Sequence, residues 1–217
     1  MKYHKINSIF KRDLSINPSP LLMGQYSCPE FEYLANNEWE FTEKIDGTNI
    51  RLIFNGEKIE IAGRTDKAQI PSFLFNFLSE MTANILPVVK EIFPYASEES
   101  KVALFGEGCG FKIQKNGQKY TNNEKRNDFI LFDILVNRTY LRRQDVVSIA
   151  DKLNMCSAPI VGSGTIFEAI DLIRNGLKST YGDFIAEGLV IRPIVELASR
   201  INGRIITKIK SCDKFKE

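Results

Sequence analysis

The amino-acid sequence predicts an α+β fold, in which antiparallel hairpins form sheets and helices cover them. Apolar segments of strand length meet at the tight-turn signals Asn55-Gly56 and Asn202-Gly203. Residues 72–93 and 143–153 carry apolar side chains at helical spacing. No pattern suggests a doubly wound sheet, and the chain contains no Gly-x-x-x-x-Gly-Lys-[Ser/Thr] loop, so a P-loop kinase or ATPase is disfavoured.

The elements follow in chain order. Three prolines punctuate an N-terminal lead-in of irregular or short elements that ends near residue 37. Predicted strands cover residues 39–44, 49–54, 58–62, 101–107, 128–136, 187–192 and 204–210. Predicted helices cover residues 72–93, with a break near Pro87, and residues 143–153. The capping-box sequence at residues 165–168 opens a third helix, which ends near Asn175-Gly176, so Glu168 is expected to cap it and not to catalyse.

Length and composition indicate an ordinary globular protein. The 217 residues suit one domain at 39–217 with an N-terminal flank at 1–38 packed on it, and 43% of them are hydrophobic and 26% charged. No uninterrupted apolar run approaches the roughly 20 residues that span a bilayer, and no signal-peptide pattern follows Met1. We therefore expect a cytoplasmic protein, phage- or bacterium-like, with no membrane partner. The sequence ends soon after Lys210, so no separate C-terminal domain is expected.

Cysteine, histidine and net charge exclude several functions. The four cysteines have no paired spacing, which disfavours zinc sites and disulfide frameworks, and the one histidine, His4, makes histidine-based catalysis improbable. A net charge of only +2 means that nucleic-acid binding would need a locally basic face. The candidate for such a face is residues 112–126, which contain Lys112, Lys115, Lys119, Lys125 and Arg126. This segment is either a solvated loop or a contact with a polynucleotide backbone.

A lysine in the segment 43–49, Lys44, is the candidate nucleophile. The pattern Lys-x-Asp-Gly is weak alone, because Asp46-Gly47 is also a plain turn. A lysine amine attacks phosphorus only when neutral, which requires desolvation or neighbouring positive charge. Lys208 and Lys210 alternate on one predicted strand, so they share a face, either to meet a phosphate or to protect an edge strand.

Two carboxylates and further segments accompany this lysine. Glu107 and Glu187 adjoin apolar strands, where a carboxylate is costly unless it binds a metal, a cation or ligand hydroxyls; a buried ion pair is the rival explanation. The segments 43–49, 104–108, 128–133, 186–193 and 207–210 occur in this order, with Gly63-Arg64-Thr65, 110–116 and 210–215 between and after them.

This ordered set of segments resembles the covalent nucleotidyltransferases, and within them the ATP-dependent RNA ligases of the phage T4 RNA ligase 2 type. The resemblance covers roughly residues 39–215. It implies an ATP-grasp-like nucleotidyltransferase fold and an enzyme that uses ATP and Mg²⁺, with Mn²⁺ as a substitute. AMP would be carried covalently on Lys44, transferred to a 5′-phosphate end, and displaced by a 3′-hydroxyl.

The resemblance also implies roles for individual residues. Lys44 is the nucleophile, Asp46 orients or deprotonates it, and Glu187 arranges the lysine and the metal. Glu107 contacts the ribose and the metal, while Phe129 stacks on adenine unless it is plain core. Lys208 and Lys210 stabilise the α-phosphate and the leaving pyrophosphate. The remaining nucleotide-site positions that match are Glu43, Ile45, Asn49 and Arg64.

The implied substrate is RNA with 5′-phosphate and 3′-hydroxyl ends, in a nicked duplex or an RNA/DNA hybrid. The expected lack of a C-terminal domain leaves efficient self-adenylation open and suggests a helper domain or protein. Three alternatives remain: a DNA ligase, a capping enzyme that uses GTP, and a non-catalytic module that binds a nucleotide or an RNA end. Covalent labelling by each triphosphate distinguishes the capping enzyme and the non-catalytic module, and sealing assays on nicked RNA and nicked DNA distinguish the DNA ligase.

Overall fold

The computed structural model describes residues 1–121, 126–200 and 203–216. Its strands are β1 (Asn7–Ser8), β2 (Phe10–Arg12), β3 (Leu21–Tyr26), β4 (Trp39–Glu43), β5 (Thr48–Phe54), β6 (Ile59–Gly63), β7 (Val102–Gly110), β8 (Asn127–Val136), β9 (Thr139–Tyr140), β10 (Ile160–Gly164), β11 (Gly188–Pro193), β12 (Ala198–Ser199), β13 (Gly203–Arg204), β14 (Thr207–Lys210) and β15 (Phe215–Lys216). Its helices are α1 (Pro29–Tyr33), α2 (Ser72–Ile92), α3 (Arg143–Lys152) and α4 (Ile166–Arg174), with a 3₁₀ turn at Gly117–Tyr120. The predicted α+β class is confirmed.

The chain divides into two compact units. Unit 1 comprises Met1–His4 and Ile45–Ala158, and unit 2 comprises Lys5–Lys44 and Pro159–Glu217. The predicted flank therefore contributes to both units, and most of it lies in unit 2. Lys44 is the last residue of its segment in unit 2, and Ile45 begins the long segment of unit 1.

Unit 1 is built on an antiparallel sheet with the strand order β6-β5-β7-β8-β9. The predicted hairpin is confirmed: β5 pairs with β6, and Gly56 turns the chain with a φ of 94°. One sheet face is covered by α2 and α3, which bury side chains such as Leu74 and Val146. A smaller cluster on the other face contains Phe105 and the partly buried Tyr3.

The predicted break near Pro87 is wrong, because α2 runs without interruption from Ser72 to Ile92. A proline inside a helix removes one backbone hydrogen bond. The neighbouring turn buries Ile85 and Val89 in the core of unit 1, and this packing outweighs the lost bond. By length and composition α2 could also cross a membrane, but core helices pass the same test, so this is a weak indication.

Unit 2 is built on a five-stranded sheet with the order β1-β14-β11-β4-β10. Strand β1 runs parallel to β14, and the other neighbours are antiparallel. A second sheet contains β15, β3 and β2. The core includes Trp39, Phe41 and Ile209. The predicted cap is confirmed, since Thr165 and Glu168 form a capping box on α4, and these hydrogen bonds lower the pKa of Glu168.

Two other predictions need correction. The predicted strand 204–210 is interrupted: Arg204 pairs within a small hairpin, Ile205 and Ile206 are buried, and β14 begins only at Thr207. Within the segment 112–126, the solvated-loop alternative does not hold for Ile113 and Tyr120, which are buried. The predictions for Lys125 and Asn202 lie outside the described residues.

Candidate active site

Lys44 lies at the end of β4, beside the start of β11. Its backbone N–H donates a hydrogen bond of 2.9 Å to the carbonyl of Gly188, which continues the pairing of β4 with β11. Glu187 directly precedes Gly188, so the same pairing brings the two side chains together. The Lys44 Nζ lies 2.5 Å from the Glu187 Oε2, and the two side chains are 21% and 16% exposed. Two of the predicted catalytic residues therefore form a largely buried ion pair.

The second oxygen of Glu187 holds another lysine. Strand β14 pairs with β11 so that Lys210 lies opposite Gly188, and the Lys210 Nζ is 2.8 Å from the Glu187 Oε1. The hydrogen bond with Glu187 raises the pKa of Lys210. Glu187 thus bridges two ammonium groups, one from each of the strands that flank β11.

Lys208 lies two residues before Lys210 on β14, while the alternate residues Thr207 and Ile209 are fully buried. The two lysines therefore share one face of the strand, as predicted. Strand β14 lies between β1 and β11, so the alternative of a protective charged edge strand is wrong. The two lysines instead lie on a strand that has a neighbouring strand on each side.

Glu43 is buried, with 2% of its surface exposed, and its carboxylate is used inside unit 2. The Ser179 hydroxyl donates to Oε1 at 2.5 Å. The Thr180 backbone N–H and hydroxyl donate to Oε2 at 2.9 and 2.8 Å. These bonds tie the residue before Lys44 to the loop that leads to Glu187. The carboxylate is thus engaged by protein donors, and no local sequence signal pointed to Ser179 or Thr180.

In unit 1, Asn49 on β5 lies directly opposite Glu107 on β7, so both side chains occupy one face of the sheet. The Asn49 Oδ1 is buried and has no hydrogen-bond partner within residues 1–121, 126–200 and 203–216. A buried acceptor of this kind suits a ligand hydroxyl or amine. Gly47 allows this close packing, because a Cβ there would lie 2.8 Å from the Glu107 Cγ.

Phe132 lies on this face of the sheet, and Phe129 lies on the opposite face. Phe129 is 1% exposed and packs in the cluster covered by α2 and α3, which is the plain-core alternative stated above. Phe132 is partly buried and packs with Ile53 and Phe105. Ile53 lies on the same face of the sheet as Asn49 on β5, and Phe105 lies on the same face as Glu107 on β7, because each pair is separated by an even number of residues. No pattern in the sequence distinguished Phe132, although it lies in the same segment as Phe129.

The remaining predicted residues are placed as follows. Arg64 is exposed just after β6, Ile45 is buried, and Asp46 is partly buried at the start of the long segment of unit 1. Cys109 is a poor nucleophile, because burial raises the pKa of its thiol.

The metal ligands predicted from sequence were Glu107 and Glu187. In the described part of the chain, no group of three or more His, Cys, Asp or Glu side chains could hold a metal ion. Magnesium, however, is commonly held by one or two carboxylates together with substrate phosphates and water. A single carboxylate such as Glu187, which contacts Lys44 and Lys210, fits a metal bound in that way.

Comparison with known protein families identifies one match across most of the chain. The model of a family described as RNA ligase matches residues 37–210. This region contains every predicted site residue, from Glu43 to Lys210.

Solved structures of a Naegleria gruberi RNA ligase have a similar fold. A variant with ATP and Mn has a TM-score of 0.63 and 20% identity, over 94% of this chain and 58% of that one. A variant with AMP and Mn gives 0.60 and 20%, over 84% and 52%. The ligase with PPi gives 0.62 and 21%, also over 84% and 52%. This chain thus spans little more than half of the proteins that it matches, and shares their fold.

Proposed function

Because this chain belongs to the RNA ligase family, we propose that it is an ATP-dependent enzyme that seals RNA strands through AMP bound to Lys44. The observation that carries the proposal is the contact chain Lys44–Glu187–Lys210, in which one carboxylate bridges the candidate nucleophile and a phosphate-binding lysine. A non-catalytic module would not need this costly arrangement of charges.

In the first step, the Lys44 Nζ attacks the α-phosphorus of ATP. A P–N bond forms, the bond from the α-phosphorus to the bridging oxygen breaks, and pyrophosphate leaves with the electron pair. The amine must first leave its ion pair and lose a proton. The Glu187 Oε2 lies 2.5 Å from the Lys44 Nζ, within hydrogen-bond reach, so we assign proton acceptance to Glu187. Asp46 remains a candidate for orienting the lysine.

Charge on the reacting phosphate is stabilised by Lys208 and Lys210, since phosphoryl transfer depends mostly on position and electrostatics. Glu187 would hold a magnesium ion, which would neutralise phosphate charge, and Glu107 remains a further candidate ligand. The side chains of unit 2 thus supply the nucleophile, a base and cations for the phosphates.

The side chains of unit 1 suit the nucleoside. The unsatisfied Asn49 Oδ1 and the partly buried Glu107 can accept hydrogen bonds from ribose hydroxyls. Phe132, on the same face, offers a ring for adenine to stack on. Arg64 is exposed and remains a candidate for contact with the ribose or the nucleic acid.

In the later steps, AMP moves to a 5′-phosphate: a phosphate oxygen attacks the α-phosphorus and the P–N bond breaks. A 3′-hydroxyl then attacks the 5′-phosphorus, AMP leaves, and a phosphodiester forms. Lys112, Lys115 and Lys119 are exposed on a segment anchored by buried Ile113 and Tyr120, which suits contact with an RNA backbone. We propose a cytoplasmic location for this activity.

The proposal is tested by incubating the protein with each of the four α-labelled triphosphates and magnesium. We expect a covalent adduct from ATP alone, which is lost in Lys44→Ala and kept in Lys58→Ala, an exposed lysine on the hairpin of unit 1. Label from GTP would indicate a capping enzyme, and binding without an adduct would indicate an inert module. Sealing assays on nicked RNA, nicked DNA and hybrids then identify the substrate.

A further inference from the structure

A cavity of about 490 Å³ in unit 2 lies beside the lysines of β14. Four cationic side chains line it: Lys208 and Lys210 from β14, and Lys5 and Arg12 from the N-terminal segment. The segment that sequence analysis treated as a flank therefore supplies half of the positive charge around the cavity.

The fold holds this segment against β14. Strand β1 pairs in parallel with β14, so that Ser8 lies opposite Lys208, and Lys5 comes shortly before β1. The Arg12 guanidinium donates to the Asp213 Oδ1 at 2.7 Å and to the Ser19 carbonyl at 3.0 Å. The other oxygen of Asp213 accepts the backbone N–H of Lys210 at 2.8 Å. Arg12 is therefore fixed to the turn that follows β14.

The cavity suits an anion with several oxygen atoms. Two of its cations contact carboxylates: Arg12 binds Asp213, and Lys210 binds Glu187, which also contacts Lys44. Asn7, Ser8 and Ser27 add polar groups to the lining. Guanidinium, ammonium and polar side chains converging on one space are typical of phosphate binding.

The order of the strands indicates which phosphates the cavity takes. Lys44 follows β4, and β11, β14 and β1 succeed it across the sheet. Neighbouring strands lie about 4.8 Å apart, so β1 is roughly 14 Å from β4. In phosphoryl transfer the attacking and leaving groups lie on opposite sides of the phosphorus. If the lysines of β14 hold the α-phosphate and Lys44 attacks it from the side of β4, the leaving group therefore departs toward β1.

We propose that this cavity is the subsite for the β- and γ-phosphates of ATP, and that Lys5 and Arg12 hold the pyrophosphate leaving group. The subsite rests on the proposed function, because it assigns the leaving group of that reaction. When the bond at the α-phosphorus breaks, negative charge collects on pyrophosphate, and the two cations stabilise it where it develops. They act on formation of the adenylate and not on joining of RNA ends.

The test compares Lys5→Ala and Arg12→Gln with wild type, and uses Lys11→Ala as the matched control. Lys5 and Lys11 are both exposed, and Lys11 does not line the cavity. Inorganic pyrophosphate is titrated into each protein by calorimetry. We expect affinity to fall about tenfold in the first two variants, as for loss of one charged phosphate contact, and to stay unchanged in the control.

A second measurement separates pyrophosphate from RNA as the occupant. Self-adenylation with ATP should slow in both variants, whereas joining of a chemically pre-adenylated RNA strand should be unchanged, because that step involves no pyrophosphate. Unchanged pyrophosphate affinity in Lys5→Ala overturns the proposal. So does slower joining of the pre-adenylated strand with normal pyrophosphate affinity, which would place RNA in the cavity.

The outcomes also separate this subsite from the proposed function. If wild type forms no adduct with any triphosphate, the ligase assignment fails, while the pyrophosphate titration still decides whether the cavity binds phosphates. If Arg12→Gln lowers stability because Asp213 loses its partner, the exposed Lys5→Ala carries the comparison alone.

Discussion

Replacing Glu43 tests whether the end of β4 is positioned by the loop at Ser179 and Thr180. Glu43→Ala removes the acceptor of three hydrogen bonds from a position that is 2% exposed. A hydrogen bond to a charged group contributes about 1.5–3 kcal/mol, but such contributions are not additive. Because three donors would be left without a charged acceptor, we expect the free energy of unfolding to fall by about 3–5 kcal/mol.

The milder variants refine this expectation. Glu43→Gln keeps one carbonyl oxygen for the two donors of Thr180, and the Ser179 hydroxyl can accept from the new amide, so we expect a loss of about 1–2 kcal/mol. Ser179→Ala should lower the free energy of unfolding by a similar amount. The double variant Glu43→Ala with Ser179→Ala should lose less than the sum of the two single variants, because both single variants remove the same hydrogen bond.

The assay is denaturant unfolding followed by tryptophan fluorescence. Trp39 is the only tryptophan and is fully buried on the same strand as Glu43, so its emission reports on unit 2. The exposed Glu32→Ala serves as a control and should change stability by no more than about 0.5 kcal/mol. We also expect slower self-adenylation in Glu43→Ala, because Lys44 follows directly. A loss below about 1 kcal/mol in Glu43→Ala, or strict additivity in the double variant, would refute the reasoning.

Three further predictions follow from the site and its surroundings. Phe132→Ala should weaken ATP binding about tenfold through lost stacking, as measured by nucleotide titration. The core variant Phe129→Ala should lower the free energy of unfolding by about 3–5 kcal/mol, as measured by denaturation. If Phe129 stacks on adenine instead, Phe129→Ala is the variant that weakens ATP binding. The difference in the free energy of unfolding between wild type and Lys210→Met measures the stabilisation by Lys210. This difference should be constant across neutral and mildly alkaline pH and disappear only above the ordinary lysine pKa of 10.5, because Glu187 raises the pKa of Lys210 in the folded state. Denaturation across a pH series checks this, and a decline that begins near neutral pH contradicts it. Iodoacetamide should modify exposed Cys212 much faster than buried Cys109, whose pKa is raised, as measured by mass spectrometry; equal native rates would contradict the buried placement.

Local patterns allowed much of the fold to be predicted. The hairpin at Asn55-Gly56 and the capping box at Thr165 depend on residues a few positions apart, and both are confirmed. The continuity of α2 through Pro87 could not be predicted in this way, because it depends on a sheet that packs against the helix.

The position of the aromatic residue shows a different limit. Alternation places Phe129 and Phe132 on opposite faces of β8 but does not say which face carries Glu107. That depends on the pairing of β7 with β8, which shifts register between Phe105 and Gly106. The shift is typical of a β-bulge, and it lets consecutive residues Phe132 and Asp133 both meet the side of the sheet where Tyr3 packs. A resemblance matched along the sequence alone does not contain this information.

Contacts between distant parts of the chain were also missed. Glu43 binds Ser179 and Thr180, more than 130 positions later, and no spacing rule connects them. Lys44, Glu187 and Lys210 were nevertheless identified individually, because each belongs to a recognisable segment. The motifs in the sequence identify these three residues, but which of them are in contact follows only from the order of the strands in the sheet.

The pairing of Asn7 with Thr207 also has a consequence for biogenesis. The hydroxyl of Thr207 donates to the carbonyl of Asn7 across 200 positions of chain, so β1 cannot pair with β14 until those 200 positions have been synthesised. Unit 1 is almost continuous in the chain and can fold on the ribosome much earlier. We expect β1 and β4 to remain unpaired with β14 and β11 until those later strands have been synthesised. Closure of this large loop should then limit the rate of folding.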